Sequence, residues 1–279
     1  GLNTIVAFDS NRAYAFGDNG KMLKTSNGGT TWSRTTNGIA NYKCATTIGS
    51  FAAVGSSDGK VSILNSETNS LTAYNTPSSS TINGICASTF DLYTCGVGGL
   101  VYKSTDLGVS WTLKNSGIPA SARLNDIEGD GNNFVAVGDS GLAYKTTNGG
   151  NNWALLPTGT TRNLLTIFRA GPLEYFIGGE WGVYLSGNFQ VPGGLTPSTI
   201  STSDIRVITG HSSFDLKIAG GQGFIRNNIL PALGFTNFES NPLLSRLTGM
   251  SVEKNGIHGV YFACSNETDA IIKTTNNGT

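Results

Sequence analysis

The sequence predicts an all-β protein that forms a single seven-bladed β-propeller, and three observations predict it. One phrase recurs along the whole chain, most clearly at residues 138–153, where it reads GDSGLAYKTTNGGNNW. Its copies begin at residues 17, 55, 96, 138, 178, 220 and 264, so they lie 38 to 44 residues apart, about the length of one four-stranded blade. Each repeat also contains short apolar segments of strand length. Finally, glycine is abundant, at 38 residues, and charged residues make up only 13%, as expected for short strands and tight polar turns.

Each repeat predicts four strands in the same order. The first carries Leu or Ile, two further residues and then Ile or Met, as in Leu2 to Ile5 and Leu124 to Ile127, and we expect it nearest the ring axis. A second strand of small, β-branched and aromatic residues suits a position packed on both faces. A glycine-rich turn, a third strand and an outer strand follow. The chain is therefore predicted to be one domain, 1–279, with blades at approximately 1–38, 39–77, 78–118, 119–159, 160–199, 200–242 and 243–279.

A motif of the form Ser/Thr-x-Asp/Asn-x-Gly-x-Thr/Ser-Trp joins the third strand to the outer strand. Asp or Asn accepts hydrogen bonds from nearby backbone N–H groups, and Gly supplies a positive φ. The tryptophan is expected to bury its ring between blades. The motif therefore predicts a structural turn rather than a functional site, at Asn27, Gly29, Trp32, Asp106, Gly108, Trp111, Asn148, Gly150, Trp153, Asn276 and Gly278.

These motifs resemble the Asp-box (BNR) repeats of sialidases, some other glycoside hydrolases and sortilin-like receptors. The copies at 25–32, 104–111 and 146–153 are nearly complete, and the copy at 274–279 stops before its tryptophan. The longer phrase looks most like the photosystem II stability/assembly factor family and its secreted bacterial relatives, although Asn27, Asn148 and Asn276 stand where that family usually has Asp. The resemblance implies a seven-bladed propeller in the thylakoid lumen or outside the cell, with a basic patch that binds a partner polypeptide.

The last blade is expected to lack its outer strand, because the sequence ends at Thr279 inside the fourth motif copy. An unpaired strand edge can accept a strand from another chain. Two explanations remain open at this stage. Either further residues follow Thr279, or a second chain supplies the strand, which would produce a homo-oligomer or a filament through the open edge.

The face that carries the loops before each first strand and the turns after each second strand is the predicted binding face. Arginine guanidinium groups there suit a peptide carboxylate or an acidic segment, and an indole in a turn could stack on a sugar or a peptide. The alternative is that these are solvated turn residues paired with neighbouring acids or packed on neighbouring loops. The candidates are Arg123, Arg162, Arg246, Trp181, Glu180 and Asp139.

Several classes of site and partner are not expected. The net charge is zero, so no global field would recruit nucleic acid. No apolar window is long enough for a transmembrane segment. Neither a metal site nor a cofactor site is predicted, because the cysteines form no CxxC pattern. The composition favours an extracytoplasmic location.

Two covalent modifications are also predicted. If residues 90 and 91 form the centre of a hairpin, Cys86 and Cys95 lie directly opposite each other, near disulfide reach; the alternative is two small buried thiols. Two Asn-x-Thr sequons, at Asn266 and Asn277, would be N-glycosylation acceptors in a eukaryotic secretory protein.

The function predicted from these observations is a non-enzymatic binding or assembly scaffold that recognises a polypeptide or glycan through the loop face. One alternative is a structural subunit of an extracellular assembly or fibre with strand pairing between subunits. The other is an Asp-box carbohydrate hydrolase of sialidase or xyloglucanase type. A sialidase needs three converging arginines and an activated tyrosine, and a xyloglucanase needs paired acids in a cleft between two propellers.

Overall fold

The computed structural model describes residues 1–36, 38–89, 91–172, 174–189, 195–212, 215–221, 225–228, 236–238, 246–252, 261–265 and 270–274. The first three sheets comprise β1 (Leu2–Ala7), β2 (Ala13–Gly17), β3 (Lys21–Thr25), β4 (Ser33–Thr36), β5 (Tyr42–Ile48), β6 (Phe51–Ser56), β7 (Lys60–Asn65), β8 (Leu71–Asn75), β9 (Ile82–Ser88), β10 (Asp91–Gly96), β11 (Val101–Ser104) and β12 (Thr112–Leu113). The next two comprise β13 (Leu124–Asp130), β14 (Asn133–Gly138), β15 (Ala143–Thr146), β16 (Ala154–Leu155), β17 (Leu164–Arg169), β18 (Glu174–Gly179), β19 (Val183–Asn188) and β20 (Leu195–Thr199). The remaining strands are β21 (Ile205–Ser212), β22 (Asp215–Gly220), β23 (Ile225–Asn228), β24 (Thr236–Phe238), β25 (Leu247–Val252), β26 (Tyr261–Ser265) and β27 (Ile271–Thr274).

The strands form a β-propeller, so the predicted all-β fold class is confirmed. Within each sheet the strands pair antiparallel in chain order, and each first strand contacts the first strand of the next sheet around a ring in which β25 also contacts β1. Two single-turn 3₁₀ segments, Asp139–Gly141 and Glu180–Gly182, join strands of the fourth and fifth sheets. No helix in the described ranges is long and apolar enough to cross a membrane.

The described strands form six complete blades, and the predicted seventh blade, expected to lack its outer strand, stays a prediction. Six sheets have four strands, whereas the sheet formed by β25, β26 and β27 has three in the described part of the chain. The last of these strands ends at Thr274, where the described residues also end. We number the blades by their sheets in chain order and refer to this one as the three-stranded sheet.

The hydrophobic core lies between the faces of neighbouring blades, as expected for sheets packed around an axis. The interface of blades 4 and 5, for example, contains Val135 and Val137 from one sheet and Tyr175 and Ile177 from the next, all fully buried. A comparable cluster joins the three-stranded sheet to blade 1, where Phe262 packs with residues of β1 and β2. Each blade therefore depends on its neighbours to bury its apolar faces.

The first strand of every sheet has a β-bulge at its second residue. In β13, for example, the register shifts between Leu124 and Asp126, which leaves Asn125 unpaired. Bulges re-aim a side chain, and these side chains turn towards the central channel and the next blade. The bulged residues are Asn3, Lys43, Asn83, Asn125, Leu165, Arg206 and Thr248.

Several bulged side chains hold adjacent blades together. The amide of Asn83 donates to the backbone carbonyl of Leu124 at 2.7 Å, and that of Asn125 donates to the carbonyl of Leu164 at 2.9 Å. Asn3 makes the same bond to Tyr42 at 2.8 Å. The hydroxyl of Thr248 donates to the carbonyl of Leu2 at 2.9 Å, so a bond of this kind also joins the three-stranded sheet to blade 1.

The predicted disulfide between Cys86 and Cys95 is wrong. Cys86 lies opposite Tyr93 and Cys95 lies opposite Gly84, and all four cysteines are free thiols. The prediction placed the centre of the hairpin at residues 90 and 91. The observed pairing of Ser88 with Asp91 moves the turn one residue towards the N-terminus and slides the pairing by two positions, so the two sulfur atoms are not directly opposed.

Candidate functional site

A polar channel of about 320 Å³ runs along the propeller axis and is lined by the first strands of all seven sheets. Its charged lining residues in the described chain are Lys43, Asp126, Glu128 and Arg206. Lys43 pairs with Asp18 at the mouth, with 3.6 Å between Nζ and Oδ1. Lys43 and Arg206 are thus both bulge residues near the mouth of the channel. The two acids, Asp126 and Glu128, both lie on β13.

Asp126 uses its carboxylate to join blades 4 and 5. It accepts the N–H of Ile127 at 2.9 Å and the N–H of Ile167, on the next blade, at 3.0 Å. Desolvation by burial raises the pKa of Asp126 to about 6 despite these hydrogen bonds. Both oxygens are engaged by the backbone, so the group is better suited to holding two strands together than to acting as a catalytic acid.

The three complete copies of the turn motif between the third and outer strands have one hydrogen-bonding pattern. In blade 4 the hydroxyl of Thr146 donates to Asn148 Oδ1 at 2.8 Å and accepts the N–H of Gly150 at 3.1 Å, while Asn148 Oδ1 accepts the N–H of Asn152 at 3.0 Å. Thr25 and Asn27 in blade 1, and Ser104 and Asp106 in blade 3, repeat these bonds. Their glycines share one backbone conformation, with φ of 84° at Gly29, 85° at Gly108 and 84° at Gly150.

The tryptophan after each complete motif packs on the preceding blade of the ring. Trp153 is 5% exposed and its Nε1 donates to the carbonyl of Lys114, in blade 3, at 2.7 Å. Trp111 packs in the cluster that contains Ile63 of blade 2, and Trp32 makes an edge contact with Phe262, with ring centroids 6.1 Å apart. The motifs therefore join neighbouring blades. The hydroxyl and amide oxygens of their turns already hydrogen-bond within the motif.

On the opposite loop face, the candidate arginine of blade 4 is paired within its own blade. Arg123 Nε lies 3.6 Å from Asp139 Oδ2, and both side chains are partly exposed. Asp139 also accepts a 2.8 Å hydrogen bond from Asn125 at the channel mouth. Two of the candidate residues are therefore structural partners of each other.

The candidate residues of blade 5 are arranged differently. The guanidinium of Arg162 lies over the indole of Trp181, 5.4 Å from the ring centroid, and Trp181 is 62% exposed. Glu180 accepts a 3.0 Å hydrogen bond from the amide of Asn163. The structure thus brings Arg162 and Trp181 together as an exposed cation–π pair.

Trp181 holds this position in a backbone conformation that is uncommon for a bulky residue. Its φ is 56° and its ψ is 32°, in the left-handed region that non-glycine residues rarely adopt. Its N–H donates to Asp204 Oδ1, in the next blade, at 3.2 Å. The turn therefore presents the indole to solvent while its backbone is bonded to a neighbouring blade.

A shallow groove of about 540 Å³ leads from Arg162 along the outer part of blade 4. Its apolar lining comes from Leu142, Leu155, Leu156 and Pro157, and its polar lining includes Thr158 and Thr160. Leu155 is 59% exposed and lies in β16, an edge strand of only two residues. Arg162 belongs both to the groove on blade 4 and to the pair with Trp181, so the groove and the pair form one continuous surface. We call it the blade 5 surface, after the blade that carries Arg162 and Trp181.

Arg246, the third candidate arginine, lies apart from this surface, next to a residue that the sequence prediction missed. The backbone of Arg246 pairs with Gly221 of blade 6. Arg206, at the bulge of β21, donates from Nη2 to Asp204 Oδ2 at 2.6 Å. The signal that could have identified Arg206 is its position two residues before Ile208, where three of the other repeats have asparagine.

Some predicted residues lie outside the described part of the chain, namely Asn266, Asn276, Asn277 and Gly278. The glycosylation sequons and the fourth Asp-box copy therefore remain predictions. Among the residues that the structure describes, no group of three or more His, Cys, Asp or Glu side chains is placed to hold a metal ion.

Comparison with known proteins supports the fold. The chain is similar to the WD40 β-propeller domain of Doa1, with a TM-score of 0.82 and 10% identity over 99% of this chain and 93% of that one. It is also similar to YCF48 bound to a D1 peptide, with a TM-score of 0.74 and 12% identity over 99% and 91% of the two chains. A chain of the mitotic checkpoint complex gives 0.79 and 11% over 98% and 86%. No protein-family model and no curated protein sequence matches the chain, so these similarities concern the fold alone.

Proposed function

We propose that this protein is a non-enzymatic binding scaffold that recognises an acidic segment of a partner polypeptide through the blade 5 surface. The observation that carries the proposal is the exposed stack of Arg162 on Trp181. Large, rigid aromatic side chains and arginines dominate the energy of protein interfaces. In this turn the indole has a 62% exposed surface that packing within the propeller does not use.

The chemistry of the surface defines the kind of partner. Stacking holds the guanidinium of Arg162 in place, and a guanidinium fork is suited to a carboxylate. The adjacent groove offers Leu142, Leu155 and Pro157 to an apolar side chain. We therefore propose a segment in which an acidic residue lies close to an apolar one. A glycan, which could stack on the indole but carries fewer acidic groups, is the less favoured ligand.

The structural comparisons are consistent with a scaffold. One similar structure holds a bound D1 peptide, and another is part of a multiprotein checkpoint complex. The two acidic candidates of the loop face have structural partners, since Asp139 pairs with Arg123 and accepts from Asn125 while Glu180 accepts from Asn163. We further propose that the three-stranded sheet is a seventh blade and that the repeated turns are genuine Asp-box motifs. We also propose that the protein works outside the cytoplasm.

Binding to an array of short peptides that vary in acidic and apolar content, run beside a glycan array, tests the proposed function. We expect retention on peptides that combine Glu or Asp with Leu or Phe, and weaker signals for Trp181→Ser and for Arg162→Gln. Arg34→Gln, which removes an exposed arginine on β4, is the matched control. Binding to glycans alone, equal binding to basic peptides, or an unchanged signal in Trp181→Ser would each contradict the proposal.

A further inference from the structure

Asp204, the residue directly before β21, connects the exposed turn of Trp181 to blade 6. Its Oδ1 accepts the N–H of Trp181 at 3.2 Å, and its Oδ2 accepts Nη2 of Arg206 at 2.6 Å. Its backbone carbonyl accepts the N–H of Gly221 at 3.0 Å, so its main chain is held within blade 6. One carboxylate therefore joins the turn that carries the indole to the body of the next blade.

Two other turns show what the fold itself requires at this point. In blade 1 the N–H of Asn19, whose φ is 55°, donates to Asn41 Oδ1 at 2.9 Å. In blade 4 the N–H of Ser140, whose φ is 58°, donates to Asn163 Oδ1 at 2.8 Å. Both acceptors directly precede the first strand of the next blade, as Asp204 does. A neutral amide is thus sufficient to anchor the turn, and of these three acceptors only Asp204 is a carboxylate.

The carboxylate of Asp204 is paired with Arg206, which occupies the bulge position where β1, β9 and β13 have asparagine. The two side chains are 31% and 24% exposed, so their charge-assisted bond is less screened than one on an open surface. Burial lowers the pKa of Arg206, as does the nearby Arg246, whereas Asp204 and Glu180 act in the opposite direction. Arg206 therefore lies close to both acids that flank the N–H of Trp181, and its bond fixes the orientation of the Asp204 carboxylate.

Trp181 needs this support because of its backbone conformation. Bulky residues rarely adopt the left-handed region, and they remain there only when the surrounding structure holds them. The backbones of the flanking residues Glu180 and Gly182 are hydrogen-bonded to other loops, and the N–H of Trp181 itself is held by Asp204. Without that bond the residue can relax to a more favourable conformation, which would move the indole away from Arg162.

We propose that Asp204 is the positioning residue of the blade 5 surface and that Arg206 orients its carboxylate for this role. The inference rests on the proposed function, because the indole that Asp204 positions is the proposed peptide contact. A turn that already presents the indole in one orientation does not have to be ordered when the peptide binds, and such preorganisation increases affinity. Asp204 need not touch the peptide, since it acts through Trp181.

The first measurement follows the indoles directly and needs no peptide. The full chain labelled with fluorotryptophan has four tryptophans, and the fluorine NMR line that is missing from Trp181→Ser belongs to Trp181. We expect a single narrow Trp181 line in the wild type and a broadened or split line in Asp204→Ala, because the turn then exchanges between conformations. The lines of the other tryptophans should stay unchanged, which shows that the variant is folded.

A matched control removes the same hydrogen bond from another blade. Asn41→Ala deprives the left-handed Asn19 of its acceptor and should leave the Trp181 line narrow. Arg206→Leu should broaden the Trp181 line although Asp204 remains, because the carboxylate is then free to rotate. If Asp204→Ala does not fold, Arg206→Leu decides by the same criterion.

A double variant tests whether the orientation of the acceptor is what matters. Asp204→Asn combined with Arg206→Leu copies Asn163 and Leu165, the residues at the same two positions of blade 5. Because Asn163 anchors the left-handed Ser140, the double variant should recover a narrow Trp181 line. A line as broad as that of Asp204→Ala would contradict the orienting role of Arg206.

Affinity for the best acidic peptide of the array, measured by calorimetry, links the position of the indole to binding. Asp204→Ala should weaken binding by about fivefold, less than Trp181→Ser, because the indole is still present but no longer preorganised. Asn41→Ala should retain the wild-type affinity. An unchanged Trp181 line in a folded Asp204→Ala protein would overturn the inference, whatever its affinity. A broadened line with wild-type affinity would instead contradict the proposed function, because the indole would then not be the contact.

Discussion

The turns after the second strands of blades 4 and 5 have the same backbone and different side chains. Each is a 3₁₀ turn whose middle residue is left-handed, with φ of 58° at Ser140 and 56° at Trp181. Each middle N–H donates to a side chain of the next blade, to Asn163 at 2.8 Å and to Asp204 at 3.2 Å. The following glycine is buried in both turns.

This comparison shows which features the fold requires. A serine is sufficient to complete the turn in blade 4, so the indole in blade 5 is not needed to form it. The arginines differ in the same way, since Arg123 pairs with Asp139 whereas Arg162 stacks on Trp181. In blade 4 the arginine is thus paired with an acid of its own blade, whereas in blade 5 the same scaffold leaves the indole of Trp181 exposed.

The largest expected difference concerns the two tryptophans of these blades. Trp153→Ala should lower the free energy of unfolding by about 3–5 kcal/mol, as expected for a buried tryptophan, because Trp153 fills the interface with blade 3. Trp181→Ala should change it by no more than about 0.5 kcal/mol, as for other surface positions. Urea unfolding followed by circular dichroism measures both. Similar losses of unfolding free energy in the two variants would show that Trp181 is part of the core. They would contradict the proposed difference between the tryptophans of blades 4 and 5.

Next in size is the effect of the glycine that follows each turn. A Cβ at Gly141 would lie 1.9 Å from the carbonyl oxygen of Thr160, and one at Gly182 would lie 1.9 Å from that of Ser201. Both glycines also have φ near 70°. Gly141→Ala and Gly182→Ala should therefore each cost about 3 kcal/mol, through strain and steric overlap. Unequal losses in urea unfolding would mean that the two turns are not equivalent scaffolds.

A smaller effect is expected from Asp126, whose counterpart at the same position of blade 5 is Thr166. The folded pKa of about 6 lies above the unfolded value of about 3.9, so the protonated form favours folding. Stability from this group is therefore greatest below about pH 4 and is lost as pH rises through about 6, by on the order of 3 kcal/mol.

Asp126→Asn removes this titration and provides the measurement. The free energy of unfolding of the wild type should fall relative to that of Asp126→Asn when urea unfolding is repeated from pH 4 to pH 7. Thr4→Val, at the matching position of blade 1, serves as the control and should show the pH dependence of the wild type; Thr166 is unsuitable because its hydroxyl hydrogen-bonds the Asp126 carboxylate. A difference between the wild type and Asp126→Asn that does not change with pH would contradict the proposed burial of the charge.

The sequence was sufficient to predict the features that repeat. The period and the Leu-x-x-Ile pattern predicted a propeller with its first strands at the axis, because each blade must bury the same two faces. The loop-face position of Trp181 followed from the same alignment of repeats. These predictions depend on the spacing of apolar residues and glycines, which local sequence displays directly.

The sequence could not predict features that depend on the exact register of paired strands. Nor could it predict contacts between residues that lie far apart in the sequence. The cysteine pairing failed because the turn of the β9–β10 hairpin lies one residue earlier than expected, after Ser88. Arg206 was missed because its neighbour Arg246 lies on another sheet, 40 residues later in the sequence. The stack of Arg162 on Trp181 likewise required the actual geometry of the turn, including its left-handed residue.

The measurement that tests the account most directly is the affinity of the wild type and of Trp181→Ser for the best acidic peptide from the array. The serine copies the residue that completes the blade 4 turn, so the free energy of unfolding should stay within about 0.5 kcal/mol. The affinity should fall at least about tenfold, since a central aromatic anchor commonly contributes that much or more. Unchanged affinity in a stably folded Trp181→Ser protein would contradict the assignment of the blade 5 surface as the binding site.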